Sequence, residues 1–434
     1  MLEAERSLEP LLDWAEGVTY EDFPADAIAH ARVILLDQLA SLWAGRHERE
    51  VLGIARWLQR RGTIDDPLWL GLVLGVAVVA QELDEGHRES MGHPGSHVVP
   101  TILARLHENP ETTMRDALTA LIIGYEVAAR IASAGRPRPG SHPHGTWGTM
   151  GAAVARARLT GGQGHLREAV YLAAGTGLAT AFSAPLAGRT VRNLYAGLST
   201  FLGMLANEWN ADVTGIFSPT ETLFHDWDGA DIAKGLGARF AITRNYFKTI
   251  AACRYVHGVI EAVEQIGEGR RLNRTDIERV TVETYAPASV LTGAPFNTLS
   301  SKFSIPYAVL CAVDGRAREA KAFHEPLELS AMDRAWLAKV NVLESEEMTQ
   351  QLPHVRAVRV TVAFADGSEC ATRVSLPRGE WDRPHRSEAL AQKWATLLGD
   401  YPGDLPGDPA NLTSADLRRF VKILMEELLS TTTP

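Results

Sequence analysis

Apolar residues recur every three to four positions through roughly the first 245 residues of this chain, with polar residues filling the intervals. That is the period of a helix with one buried face. It predicts helices over Ala25–Trp43, Met114–Ala134 and Gly151–Thr160, separated by turns that hold Gly, Pro or Asn. Leu68–Ala80 (LWLGLVLGVAVVA) is apolar on every side. It is shorter than the roughly 20 residues that span a bilayer, so a helix buried within the protein is expected. Alternation of the kind strands show is nearly missing from this half, which predicts a buried all-α domain.

The period changes near residue 248. Glu278–Tyr285 (ERVTVETY) alternates and is rich in Val and Thr, as a half-buried strand is. Val355–Leu376 reads as two alternating strands joined at Ala365-Asp366-Gly367, a hairpin signal. Helical periods over Arg254–Gln265 and Ile305–Val313 lie among these strands. They return over Ser387–Leu398 and Ser414–Leu429, with Ser414 as the expected N-cap. The chain therefore reads as mainly α. A large all-α helical domain spans 1–247 and is completed by 380–434; a smaller α+β domain spans 248–379. A length of 434 residues agrees with two domains.

Composition narrows the partners. The formal net charge is −10, and Lys and Arg nowhere gather into the dense patch that nucleic acid or a membrane surface requires. Neither partner is expected. Three scattered cysteines, Cys253, Cys311 and Cys370, do not suggest a disulfide framework and suit a reducing compartment. The first residues, MLEAERSLEPLLDWAEG, lack the basic-then-apolar order of a signal peptide. A cytoplasmic protein is the expectation.

The candidate chemistry is concentrated in two places. The stretch ELDEGHRESMGHPGSHVVP, Glu82–Pro100, packs acids, three histidines and Arg88 against a Pro-Gly break. Ser96 is positioned to cap a helix after that break, and a helix start offers free N–H groups and partial positive charge to an anion. His93 stands just before it and can move a proton, with Asp84 orienting it or acting as a base itself. The segment PGSHPHGTWGTMGAA, from Pro139, repeats the arrangement: His142 and His144, then glycines, then a helix start. Two such loops suggest the walls of one anion pocket. His93 and His97 are four residues apart, but Pro94-Gly95 lies between them and no HExxH or cysteine joins them, so no metal site is expected. Walker A, GxGxxG in a strand–helix setting and Gly-x-Ser-x-Gly are not found.

ELDEGHR…MGHPGSHVVP, SHPHGTWGTMGAA, YFKTIAACRYVHG and SKFSIPYAV resemble, in that order, signature segments of the MmgE/PrpD family. The resemblance spans nearly the whole chain. It implies an all-α domain with an α+β lid, a homodimer, and neither a metal nor an organic cofactor. Carried over by position, Asp84, His93, His142, Lys248 and Tyr307 are the implied catalytic residues. Arg88, His144, Arg189 and Arg254 are the implied substrate-binding residues. One segment departs from the family pattern. AFSAPLAGRTVRN has Ser183 and Leu186 where a lysine and a histidine are usual, keeps Arg189, and adds Arg192. KTIAACRY also lacks the usual prolines.

The chemistry the resemblance implies starts at a carbon beside a carboxylate. An enzyme must neutralise the carboxylate and stabilise the enolate-like charge that develops as the proton leaves. The expected function is a lyase on a small di- or tricarboxylate, 2-methylcitrate dehydratase-like. An epimerase, isomerase or decarboxylase of the same family is the alternative. A non-catalytic carboxylate-binding protein is the alternative of another class.

Overall fold

A computed structural model describes residues 3–161, 165–209, 211–213, 217, 221, 223–319, 321–324 and 328–432. The chain divides into two compact units. The first comprises residues 1–182, 191–246 and 387–434; the second comprises 183–190 and 247–386. The fold is mainly α with a smaller α+β part, as the periodicity predicts.

In the first unit the helices are α1 (Glu3–Gly17), α2 (Ala25–Gly45), α3 (Arg49–Arg61), α4 (Pro67–Ala80), α5 (Gly95–Glu108), α6 (Met114–Ala134), α7 (Gly148–Thr160), α8 (Leu166–Gly175) and α9 (Val191–Leu205). Helix α4 is the uniformly apolar stretch. Asp66 caps it by accepting from the Leu68 amide, Pro67 occupies its first position, and Leu70–Ala80 is buried. Helix α6 is long and apolar enough to cross a membrane, but 78% of its most apolar window is buried inside the protein. Helices α4, α5, α7 and α9 pack on one another, so the loops joining them converge.

Two short antiparallel pairs also lie in this unit, where the sequence predicts only helix. β1 (Gly86–His87) pairs with β4 (Asn245–Tyr246), and β2 (Gly135–Pro137) with β3 (Phe224–Trp227). Strands this short are too brief for a two-residue alternation to register. The β1–β4 pair matters because it ties the histidine-bearing loop to residues 160 positions later.

The second unit holds a four-stranded sheet in the order β6-β5-β7-β8. Strand β5 (Ile277–Thr284) runs parallel to β6 (Val340–Glu344) and antiparallel to β7 (Val358–Phe364), and β7 forms a hairpin with β8 (Glu369–Val374). The hairpin turns at Gly367, whose φ of +84° favours glycine. Strand β6 escaped the sequence reading because most of its residues are exposed and no two-residue alternation marks it. Helices α10 (Arg254–Gly269) and α11 (Ile305–Val313) pack together in this unit, α10 also lying on β7 and β8.

The chain then returns to the first unit with α12 (Ser387–Leu397) and α13 (Ser414–Thr432). The cap of α13 is Thr413 rather than Ser414. The Thr413 hydroxyl accepts from the Asp416 amide at 3.2 Å, and the Asp416 carboxylate accepts from the Thr413 amide at 3.0 Å. The reciprocal pair decides between two adjacent hydroxyl residues.

Candidate active site

Between α4 and α5 the chain runs as a buried loop. Glu82 and Met91 both adopt left-handed backbone angles, with φ of 58° and 53°, an arrangement costing roughly 1–3 kcal/mol per non-glycine residue that surrounding contacts must hold. Those contacts are on hand. Strand β1 pairs with β4, and His87 and Gly92 exchange backbone hydrogen bonds, the shorter at 2.7 Å.

Within this loop two adjacent carboxylates face different partners. Asp84, fully buried, accepts from the Ser96 hydroxyl at 2.9 Å and lies 3.0 Å from His93 Nδ1. Glu85 accepts from the Gly95 amide at 2.8 Å through one oxygen. Through the other it accepts from the Tyr125 hydroxyl at 2.8 Å and the Asn245 side-chain amide at 3.2 Å. The expected anion seat at the start of α5 is thus filled by the protein's own Glu85. Ser96 does not cap the helix, because its hydroxyl is spent on Asp84. Burial pushes the Glu85 carboxyl up to about 7; the Tyr125 hydroxyl, His93, the Gly95 amide and Asn245 pull the other way.

The same contacts decide which nitrogen of His93 holds the proton. Nδ1 lies 2.7 Å from the Glu85 carbonyl and 3.0 Å from Asp84. Both partners are acceptors, so Nδ1 carries the hydrogen and, in the neutral ring, Nε2 carries the lone pair. His93 keeps 12% of its side chain exposed, while Asp84 keeps none.

The second histidine loop is held from behind by Thr180. Its hydroxyl bonds the carbonyls of His142 and His144 at 2.9 and 2.8 Å, and its carbonyl accepts from the His142 amide at 3.0 Å. Gly145 turns the chain at φ +95°, and the Leu178 amide donates to its carbonyl. His142 Nδ1 accepts from the His144 amide at 3.1 Å. Its remaining proton is therefore on Nε2, the tautomer opposite to that of His93.

His144 lies between the other rings. Its centroid is 5.0 Å from His93, 5.0 Å from His142 and 5.3 Å from His97. Its Nε2 faces Arg192 Nη2 at 3.4 Å and its Nδ1 faces His97 Nε2 at 3.3 Å. Arginine only donates, so the His144 hydrogen sits on Nδ1 and points at His97. Burial first, and then the neighbouring imidazoles, hold His144 well below the usual histidine range. Burial likewise brings His97 down to about 3. Both rings are neutral. Arg192, 1% exposed, pairs with Glu82 and donates to the Val79 carbonyl at 2.8 Å.

One donor atom each from Asp84, His93 and His144 lies within 4.8 Å of the others, a set that by residue type suits a divalent cation. Yet Asp84 and His93 are hydrogen-bonded to each other, and both His144 nitrogens face protein groups. The geometry is that of a hydrogen-bonded acid–base set.

The first unit thus brings Asp84, His93, His142 and His144 together. Arg88 belongs to the same loop and is 4% exposed. Lys248, Arg254, Tyr307 and Arg189 belong to the second unit. There Lys248 is fully buried. Lys248 and Arg254 both oppose protonation of His257, which burial already holds well below the usual range. Arg254 forms a buried ion pair with Glu380 at 3.0 Å and donates to the Pro377 carbonyl at 3.0 Å. The Tyr307 hydroxyl donates to the Ala322 carbonyl at 2.8 Å and lies 3.3 Å from Arg316. Arg189 is exposed.

Sequence reasoning missed Glu85, Tyr125, His97, Glu82 and His257. His97 was legible, standing one turn from His93. Tyr125 was not, because nothing marks a tyrosine within α6 as the partner of a loop 40 residues earlier.

Comparison with known proteins covers both halves of the chain. Residues 9–207 match the MmgE/PrpD N-terminal domain and residues 250–405 match the MmgE/PrpD C-terminal domain. Among relatives, the chain is 25% identical over 435 residues to cis-aconitate decarboxylase of Aspergillus terreus, covering 89% of this chain and 88% of that protein. It is 25% identical over 434 residues to the enzyme of the same name from Aspergillus terreus strain NIH 2624 / FGSC A1156, with the same coverage. It is 23% identical over 445 residues to the cis-aconitate decarboxylase-like protein oryM of Aspergillus oryzae strain ATCC 42149 / RIB 40, covering 89% of each chain. Matched along both of its domains, in the order the four sequence segments suggest, the chain belongs to the MmgE/PrpD family.

Proposed function

We propose that this protein is a lyase that moves a proton at the carbon beside a carboxylate of a small di- or tricarboxylic acid. The observation that carries this reading is the pair of opposite histidine tautomers. His93, its Nδ1–H spent on Asp84 and the Glu85 carbonyl, offers a lone pair at Nε2 and is the base. His142, its Nδ1 spent on the His144 amide, holds a hydrogen at Nε2 and is the acid. Asp84 fixes the His93 ring and stabilises the imidazolium that forms when the proton arrives.

For dehydration, in the manner of a 2-methylcitrate dehydratase-like hydro-lyase, His93 takes the carbon-bound hydrogen and His142 protonates the departing hydroxyl, which leaves as water. The family resemblance adds Lys248 as a cation for substrate carboxylate and Tyr307 as a hydrogen-bond donor, with Arg88, Arg189, Arg254 and His144 as binding residues. Decarboxylation is the second reading. The names of the Aspergillus relatives favour it. In that case the C–C bond to the departing CO2 leaves its electron pair on the substrate, and a histidine returns a proton to carbon.

Incubation in D2O with citrate-, methylcitrate- and aconitate-type acids tests the reading. Deuterium entering at the carbon beside the carboxylate is expected, with alkene absorbance for dehydration or CO2 release from cis-aconitate for decarboxylation. A positioned acid or base contributes about 10²–10⁴-fold, so His93→Asn should lose at least that much while remaining folded, and Lys248→Ala, which removes the cation for substrate carboxylate, should lower kcat/KM. Thermal stabilisation by these acids without exchange or turnover would instead indicate a binding protein.

A further inference from the structure

Lys393 lies on α12, about 300 residues after the histidine loop, yet only 4% of its side chain is exposed. Its ammonium is 2.6 Å from Asp37 on α2 and donates to the Leu83 carbonyl at 2.8 Å. Leu83 immediately precedes Asp84. The same Asp37 oxygen accepts from the Trp394 indole N–H at 3.0 Å. A lysine is seldom buried this deeply unless it is paired, and a buried ion pair is usually no better for stability than apolar residues of similar volume. Its presence here calls for another reason.

That reason is the charge around Asp84. Asp37 and Asp84 are both fully buried and close enough to repel. Burial pushes the Asp37 carboxyl up, Lys393 draws it down, and Asp84 adds to the upward push. The groups facing the Asp84–His93 pair within this unit come from several elements. Asp37 is on α2, Glu85 on the same loop, His97 on α5, His144 on the second histidine loop and Tyr246 on β4, with its ring 6.2 Å from His93. Lys393, on α12, joins them through Asp37 and the Leu83 carbonyl, and Arg192, on α9, through His144. Of the two cations, Arg192 pairs with Glu82, whereas Lys393 pairs with Asp37 and also grips the backbone at the residue before Asp84.

We infer that Lys393 is a positioning residue for the Asp84–His93 pair, holding the loop at Leu83 while its charge balances Asp37 behind Asp84. This rests on His93 as the base. Removing the ammonium leaves Asp37 uncompensated beside the pair and favours the imidazolium. Removing Asp37 leaves the ammonium uncompensated and disfavours it.

The test is the pH titration of His93, read from histidine 15N shifts in the full-length protein and assigned by the signal lost in His93→Asn. It needs no substrate. A charge removed near a titrating imidazole moves its midpoint in the direction set by the sign of that charge. Lys393→Met should move the His93 midpoint to higher pH, and Asp37→Asn should move it to lower pH. The double variant, with both charges gone, should return near the wild-type midpoint. A merely structural role would not produce shifts of opposite sign. If Lys393→Met does not fold, Asp37→Asn and the double variant still decide the matter. Midpoints unmoved, or moved in one direction by both variants, overturn the inference. The base assignment fails separately, if His93→Asn keeps full proton exchange and turnover on the acids named above.

Discussion

Glu85 is fully buried, and its carboxyl titrates near 7 instead of its ordinary 4.5. The folded protein therefore keeps this proton over a range where the unfolded chain has released it. For an acid raised in this way, the stabilisation is fully present below about 4.5 and is lost as pH rises through about 7. The size is on the order of 3 kcal/mol across that window. Glu85→Gln removes the titration, so its urea-unfolding free energy is expected to change less between pH 5 and 8 than that of the wild type. An equal slope in both proteins would refute the assignment. His97 and His144 make a complementary case. Burial holds both as neutral rings, so their 15N shifts should stay those of neutral imidazole down to pH 5.

Among the elements, the contact between α5 and α7 sets where the histidine loops end. Gly148 is the first residue of α7, and a Cβ added there would meet the His97 ring at 2.2 Å. Gly148→Ala is expected to cost about 1–3 kcal/mol through overpacking and to displace His97. Urea denaturation reads the first effect, and the His97 resonance reads the second. Gly53, at an exposed position of α3, meets nothing within 4 Å. Gly53→Ala should stabilise by about 0.5–1 kcal/mol, since only the helix-propensity gain remains. If both substitutions behaved alike, the close approach at Gly148 would not be what the site depends on. The sequence marked glycines after His144 but not which of them lies against a histidine. Local composition shows permitted backbone freedom, while a close approach is a property of two helices that meet across 50 residues.

For the whole molecule, α9 presents an unusual outer side. Val191 is 47% exposed and Leu198 36%. Leu194, Tyr195, Phe201 and Leu202 are half-buried, and the charged side chain within the helix, Arg192, is turned inward. Soluble monomers seldom leave a continuous apolar helix face in water. The homodimer implied by the family resemblance would cover this face with a second copy. Light scattering after size exclusion is expected to give twice the 47.3 kDa chain mass, and Leu198→Glu is expected to shift the mass toward the monomer. A wild-type monomer at micromolar concentration would remove this role from α9.

Sequence alone determined the fold class, most helices, the β5 strand and the β7–β8 hairpin, because periods of 3.6 and 2 are written locally wherever one face is buried. It also brought the family within reach, through four segments in order. Tertiary structure decided the chemistry of the site. Asp84 and His93 could be named from a single loop. That His93 offers Nε2 while His142 keeps its hydrogen there depends on a carbonyl, a carboxylate and an amide whose directions no residue pattern encodes. That the helix start is filled by Glu85, and that Lys393 pairs with Asp37, follow from packing between segments 10 and 356 residues apart. A side chain's protonation answers to whatever the fold places beside it in a medium that screens little, and that neighbourhood exists only once the chain has closed on itself.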